Sequence, residues 1–137
     1  MKILYDEITR RFPEICDQLS EGDEELPYVV MAYMACWLKG LPEDAITPQI
    51  VDRLVSFAEW CEEQPRGKDA GDDLLTVLVV AFYEKLFDSD RTRALVPRFI
   101  PREQFVTNAD YLRTWVAAEN YEKAGQYYEP PVQSLGM

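Results

Sequence analysis

Apolar positions recur every three or four residues along most of the chain, the spacing that is typical of an amphipathic α-helix. The first such run joins Leu4, Ile8, Phe12, Ile15 and Leu19. Pro13 lies inside the run, and proline is accepted at the start of a helix but not in its interior. The pattern therefore predicts a short helix that ends at Arg11 or Phe12 and another that begins at Pro13.

The next two runs predict a pair of helices with clear start and stop signals. One opens near Asp23 or Glu24, tolerates Pro27 in its first turn and runs to Leu38, with Gly40 as its stop. The other begins with Thr47 as the N-cap and Pro48 as the first helical residue, because these residue types favour those positions. It ends before the proline at position 65.

A fourth run, residues 74–87, is apolar on every side, which is the pattern of a helix buried at the centre of a core. Its β-branched stretch, Thr76–Val80, also suits a strand. The run is long, however, and no other segment alternates as a partner strand would, so a helix is favoured.

The pattern becomes less regular after this run. A short helix is predicted at 91–95, followed by irregular chain that Pro97 and Pro101 interrupt. Asn108 is predicted to cap a last helix, which ends near Ala124.

These elements together predict an all-α fold. A chain of 137 residues with 47% hydrophobic side chains is long enough to bury one core. We therefore expect a single-domain helical bundle of about five to six helices over residues 1–124. Residues 125–137 contain glycine and paired prolines, which predict a short extended or mobile C-terminal tail.

The charge of the chain narrows the possible functions. Asp and Glu outnumber Lys and Arg by 25 to 14, so the formal net charge is −11. Such a surface repels nucleic acid and anionic lipid and attracts basic partners. The sequence also contains no histidine, which is the usual general base and the commonest metal ligand. These features favour a binding protein without metal or cofactor, whose target is a basic protein rather than nucleic acid or membrane.

The cysteines and the N-terminus bear on the compartment. Cys16, Cys36 and Cys61 lack C-x-x-C spacing and fall within apolar helical runs, so we expect three buried thiols and no disulfide. The N-terminal residues contain no apolar stretch typical of a signal peptide. The longest nearly apolar run, 28–38, is about half of what a membrane span needs. A cytoplasmic protein is predicted.

Acidic residues line one side of the helix that begins at Pro48. At about 100° per residue, one face contains Ile50, Leu54, Phe57, Ala58 and Cys61, and the opposite face contains Asp52, Ser56, Glu59 and Glu63, with Glu62 at its edge. Acids near a helix C-terminus oppose the helix dipole, which indicates a use other than stabilising the helix. Trp60 projects between the two faces and is a candidate anchor for a partner.

Other acidic residues extend this candidate binding surface. Asp69, Asp72 and Asp73 continue it in sequence across the next loop, and Asp23, Glu24 and Glu25 form a second candidate patch. The alternative is an ordinary solvated face, in which Asp72 and Asp73 stabilise the N-terminus of the following helix.

Two pairs of carboxylates indicate a different class of function. Glu59-x-x-Glu62 and Glu84-x-x-x-Asp88 are similar to the ExxE…ExxD pattern of all-α nucleoside-triphosphate pyrophosphohydrolases, which bind Mg²⁺ through carboxylates. The second pair is one residue too widely spaced, and no basic residues are placed beside it to hold phosphates. A Mg²⁺-dependent nucleotide hydrolase is the alternative hypothesis.

No other motif indicates catalysis. The cysteines have no histidine to activate them, and no glycine-rich phosphate-binding loop is present. The arginines between Arg91 and Arg102 predict intramolecular ion pairs or a contact at the rim of an interface. Most large aromatic residues are expected in the core: Tyr28, Tyr33, Trp37, Phe57, Phe82, Tyr111 and Trp115.

Three segments carry a family resemblance. Gly71-Asp72-Asp73-Leu74-Leu75, Phe82-Tyr83-Glu84-Lys85-Leu86 and Tyr111-Leu112-x-x-Trp115 resemble a group of small bacterial helical proteins that are regarded as immunity proteins of polymorphic-toxin and contact-dependent systems. The resemblance covers roughly residues 25–120. It implies a cytoplasmic, non-enzymatic antidote that binds and occludes one cognate toxin domain. A regulatory adaptor or oligomerisation module that uses the C-terminal tail is a further hypothesis.

Overall fold

The structure is a computed structural model that describes residues 2–20, 22–69 and 71–130. The chain divides into two compact units, Met1–Phe82 and Tyr83–Met137. Every regular element in the described residues is helical, which confirms the all-α prediction. The single-domain organisation of residues 1–124 stays a prediction.

The described part of the first unit contains four α-helices, α1 (Lys2–Arg11), α2 (Pro27–Gly40), α3 (Pro48–Glu63) and α4 (Leu74–Leu78). Short 3-10 helices at Pro13–Gln18, Asp23–Glu25 and Glu43–Ala45 connect the first three. Two predicted start signals are confirmed, because Pro13 and Pro48 begin their helices, whereas α2 begins at Pro27 and not near Asp23 or Glu24. The hydroxyl of Thr47 accepts a hydrogen bond from the backbone N–H of Ile50 at 3.3 Å.

Aromatic side chains tie α1, α2 and α3 together. The buried ring of Phe12 contacts Trp37 and Phe57, with ring centroids 5.8 and 5.9 Å apart. The apolar face of α3 is buried, namely Val51, Leu54, Phe57, Ala58 and Cys61. This packing fixes the rotation of α3, so that its opposite face is turned to solvent.

The fourth apolar run is helical, as predicted, but its geometry is not uniform. After α4 the backbone widens into a π-helix at Val79–Tyr83 and tightens into a 3-10 helix at Glu84–Asp88. The prediction that this run is buried on every side is wrong at Val80, which is 37% exposed. A π-turn contains an extra residue, which displaces one side chain from the buried face.

The described part of the second unit contains α5 (Asp90–Arg93), α6 (Val96–Phe99), α7 (Arg102–Thr107), α8 (Ala109–Val116) and α9 (Ala118–Gly125). The predicted irregular chain after residue 95 is wrong, because Pro97 lies in the first turn of α6 and Pro101 is the N-cap of α7. Proline begins helices here instead of interrupting the chain. The described residues therefore form nine α-helices, more than the five to six predicted.

The predicted last helix is broken at Ala117, which has φ 74° and ψ 138°. Asn108 lies before α8 as predicted, but its side chain makes no capping hydrogen bond. Two contacts bridge the break: an ion pair between Arg113 and Glu122, and a hydrogen bond from the Asn120 side chain to the Val116 carbonyl at 3.1 Å.

The core of the second unit is a stack of aromatic rings. Phe105 lies against Tyr121 and Tyr128, with centroids 4.2 and 4.7 Å apart. Both hydroxyls are satisfied inside the unit, because Tyr121 donates to the Phe105 carbonyl at 2.9 Å and Tyr128 to the Ile100 carbonyl at 2.6 Å. The packed chain therefore continues past residue 124 into the predicted tail. The remainder of that tail, 131–137, lies outside the described residues.

The prediction of three buried thiols is wrong for two of the cysteines. Cys61 is buried on α3, but Cys16 and Cys36 are exposed. Cys16 lies in a 3-10 helix, whose tighter repeat changes the side that each residue faces. Cys36 lies on α2 between the buried residues Ala35 and Leu38, on the side that faces away from the core.

Candidate functional site

The exposed face of α3 is acidic, as the sequence predicts. Asp52, Glu59, Glu62 and Glu63 are all exposed, and we call these four residues the acidic surface of α3. They extend over twelve residues of helix, from Asp52 to Glu63, or about 17 Å. The helix thus presents a row of carboxylates along the side opposite its buried face.

Two of these carboxylates take no part in the contacts among the described residues. Glu59 and Glu63 form no hydrogen bond or ion pair with any residue that the structure describes. Glu63 is the last residue of α3, where the backbone carbonyls form the negative end of the helix dipole. A carboxylate at this position destabilises a helix by about 0.3–1 kcal/mol, so local stability does not explain Glu63.

Trp60 lies between the two faces of α3, half-buried, as predicted. Its ring stacks against Phe57, with centroids 6.1 Å apart and planes inclined by 22°. The Gln64 side chain donates to the Trp60 carbonyl at 3.0 Å. The ring is therefore held firmly by the core while part of it remains accessible beside Glu59 and Glu63.

Two arginines lie at the Asp52 end of the acidic surface. Arg11, Asp52, Arg53 and Ser56 line a shallow depression of about 310 Å³. Arg53 forms a bidentate ion pair with Glu14, with N–O distances of 2.7 and 2.9 Å, and its hydrogen bonds lower the pKa of the Glu14 carboxyl. Burial alone would raise the pKa of Glu7, but hydrogen bonds from Arg11 and Arg10 lower it. The two guanidinium groups in the depression are thus already paired with carboxylates of the same chain, Arg53 with Glu14 and Arg11 with Glu7.

Asp73 is not part of an exposed surface, and this corrects its assignment as a partner-binding residue. Its side chain is buried and caps α4, where it accepts a hydrogen bond from the Thr76 N–H. It also accepts two bonds from the Arg66 guanidinium, both at 2.8 Å, and one from the Gly67 N–H at 2.9 Å. These bonds, above all those from Arg66, hold the pKa of Asp73 well below its usual range. We assign Asp73 a structural role.

The other acids of the predicted extension remain accessible. Asp69 and Asp72 are exposed in the loop between α3 and α4 and organise its turn. Asp69 accepts from the Gly71 N–H at 2.9 Å, and Asp72 accepts from the Asp69 N–H at 3.0 Å. Gly67 is required in this loop, because a Cβ there would lie 2.3 Å from the Asp72 carbonyl oxygen.

The second candidate patch forms the 3-10 helix Asp23–Glu25, which packs against α1 and α2. Asp23 accepts a hydrogen bond from the Ser20 N–H at 2.7 Å. Glu24 lies near Lys2, whose pKa is raised mainly by Asp6 and to a smaller extent by Glu24. Glu25 is exposed. Asp23 and Glu25 thus already have interactions within the fold, and Glu24 lies near a lysine, which makes this patch a weaker candidate than the surface of α3.

In the second unit, two of the aromatic residues expected in the core are at the surface. Trp115 is 65% exposed and Tyr111 is 41% exposed. The Tyr111 hydroxyl donates to the Glu84 carboxylate at 2.6 Å. The sequence period did not show that Tyr111 and Trp115 are exposed, because they lie next to the buried positions Leu112 and Val116 of the same helix.

The arginine-rich segment is partly internal, as predicted. Arg93 is buried, forms an ion pair with Asp90 and donates to the Phe87 carbonyl at 2.8 Å. Its guanidinium also donates to the Asn120 side chain at 3.3 Å. This residue therefore holds α5 against its neighbours within the second unit.

The metal hypothesis gains no support from the geometry. Among the residues that the structure describes, no three or more acidic or cysteine side chains lie close enough together to hold a metal ion. Across the same residues, each helix is too short or too polar to cross a bilayer.

Comparisons with known proteins add no assignment. No protein-family model matches the chain, and neither a curated protein nor a solved structure is significantly similar to it. The resemblance to immunity proteins therefore stays a prediction that rests on the sequence segments described above.

Proposed function

We propose that the protein is a non-enzymatic immunity protein, acting in the cytoplasm, that binds and occludes a basic toxin domain through the acidic surface of α3. The observation that carries this proposal is the pair Glu59 and Glu63, exposed carboxylates of α3 that have no partner among the residues that the structure describes. Glu63 lies where it weakens that helix, so a benefit outside the fold accounts for it.

The chemistry of the target follows from the carboxylates. A toxin that acts on nucleic acid or nucleotides must hold phosphates with Lys and Arg, and carboxylates at matching positions bind the same cations. Trp60 supplies an apolar contact beside them, and aromatic residues of this kind often dominate binding energy. The net charge of −11 accelerates the encounter with a basic partner.

The test is a charge reversal of Glu59 and Glu63 to lysine, with binding measured against the product of the adjacent gene, the first candidate for a cognate toxin. We expect binding to weaken by about 2–5 kcal/mol, since each lysine faces a cation of the partner. The free energy of unfolding should stay within about 1 kcal/mol of the wild type, because exposed unpaired carboxylates contribute little to folding.

A matched control is available at the other end of the same helix. Glu43 and Asp44 are exposed and precede α3, and their reversal to lysine changes the net charge by the same amount. This variant should bind nearly as well as the wild type at 0.15 M salt, where charges more than about 8 Å from the interface are screened. Equal binding by both double variants would mean that the acidic surface of α3 is only a solvated face.

A further inference from the structure

Two aromatic side chains on α8 form an exposed pair. The rings of Tyr111 and Trp115 lie with centroids 6.2 Å apart and planes inclined by 42°. They are four residues apart and so lie on the same side of the helix. The residues that anchor α8 in the core, Ala109, Leu112 and Val116, are all buried. The exposed pair therefore lies outside the buried face of α8, and its tryptophan, which is 65% exposed, is accessible to a partner.

A carboxylate is held at the edge of this pair. The Tyr111 hydroxyl donates to Oε2 of Glu84, which leaves further acceptor positions on the carboxylate. Burial, and then Glu84, raise the pKa of Tyr111 to about 12, so the phenol stays protonated and keeps donating at neutral pH. Two π-faces and one negative charge are thus combined within a single unit of the protein.

We propose that Glu84, Tyr111 and Trp115 form a binding site for an arginine side chain of a protein partner. A guanidinium group stacks on aromatic rings and also forms bidentate hydrogen bonds with a carboxylate, and the three residues offer both interactions. A lysine ammonium is more strongly hydrated and uses a carboxylate only as a point charge. An apolar side chain would contact the two rings but would leave the Glu84 carboxylate without a cationic partner.

This inference goes beyond the proposed function, because it uses none of the residues on α3. The two proposals can also be refuted independently of each other. Reversal of Glu59 and Glu63 tests the first surface, whereas the experiment below uses a small probe and residues of the second unit.

The experiment is a titration of the full chain with N-acetyl-arginine N-methylamide, followed through the indole N–H signal of Trp115 in NMR spectra. Trp115→Phe identifies that signal among those of the three tryptophans. The citrulline analogue has nearly the same shape without the charge. We expect a saturable shift with the arginine probe, with a Kd on the order of millimolar for so small a ligand, and no saturable shift with citrulline.

Variants assign the effect to the site. Glu84→Gln should weaken binding of the arginine probe about threefold to tenfold, and Tyr111→Leu should remove it. Glu103→Gln is the control, an exposed glutamate on α7 of the same unit, and should bind like the wild type. Melting curves by circular dichroism verify that each variant is folded. Equal shifts with citrulline, unchanged binding by Glu84→Gln, or a lysine probe that binds as tightly as arginine would each overturn the assignment.

Discussion

The joint between α8 and α9 contains a strained residue whose replacement should stabilise the protein. Ala117 has φ 74° and ψ 138°, a conformation that costs a residue with a Cβ about 1–3 kcal/mol. The side chain is exposed, so removal of its Cβ sacrifices little packing. Glycine adopts this conformation without strain but loses about 0.5–1 kcal/mol through the greater freedom of its unfolded chain.

The difference between these two terms predicts that Ala117→Gly raises the free energy of unfolding by about 1 kcal/mol. The Tm should then rise by about 2–6 °C. Urea unfolding followed by far-UV circular dichroism measures the change, provided that the slopes of the wild-type and variant curves agree.

The neighbouring residue supplies the control for this prediction. Ala118 is exposed and begins α9 with ordinary helical geometry, so Ala118→Gly should lower the free energy of unfolding by up to about 1 kcal/mol. The two substitutions are chemically identical and differ only in backbone conformation. Equal destabilisation by both would refute the argument that Ala117 is strained.

Two further predictions follow from side-chain environments. A thiol reagent at pH 8 should modify Cys16 and Cys36 in the native protein, and Cys61 only after denaturation, because burial raises the pKa of the Cys61 thiol to about 12. The absorbance of the group that the reagent releases should therefore correspond to two thiols per chain in the native protein and to three after guanidinium is added. Three reactive thiols in the native protein would contradict the burial of Cys61. The hydrogen bonds to Asp73, led by that of Arg66, lower its folded-state pKa, so its carboxylate stabilises the fold above its unfolded pKa of about 4 and this stabilisation is lost as the pH falls below it. The urea midpoint of Asp73→Asn should therefore lie furthest below that of the wild type at neutral pH, and the gap should begin to narrow as the pH falls below about 4, whereas a constant difference would show that the charge has no role.

Much of the helical structure could be predicted because its signals are local. Thr47 and Pro48 mark the start of α3 through a hydrogen bond that spans only three residues, and the two faces of α3 follow from its helical period alone. Part of the prediction failed because the period itself changes. In the 3-10 helix that contains Cys16 and in the π-turn that contains Val80, a wheel drawn with 3.6 residues per turn assigns side chains to the wrong side.

The candidate sites were harder to predict because they depend on contacts between distant residues. Glu84 and Tyr111 are 27 positions apart, and only the packed second unit brings the carboxylate to the phenol. The bonds from Arg66 that occupy Asp73 span seven residues, and no helical period indicates them. The sequence pattern therefore shows on which face of a helix a carboxylate lies, but not whether it already accepts hydrogen bonds within the fold.

The presence of a partner within the fold is what distinguishes a structural carboxylate from a candidate binding carboxylate in this chain. Asp73 is held by an arginine, a threonine and a backbone N–H, so neutralising it should weaken the fold. Glu63 has no such partner among the described residues and opposes the dipole of α3, so neutralising it should strengthen the fold by a few tenths of a kcal/mol. Such a residue, on the exposed face of α3 beside a half-buried tryptophan, supports the proposal that this face binds a partner. Opposite signs of these two stability changes would favour the acidic surface of α3, and not the acidic composition as a whole, as the proposed binding surface.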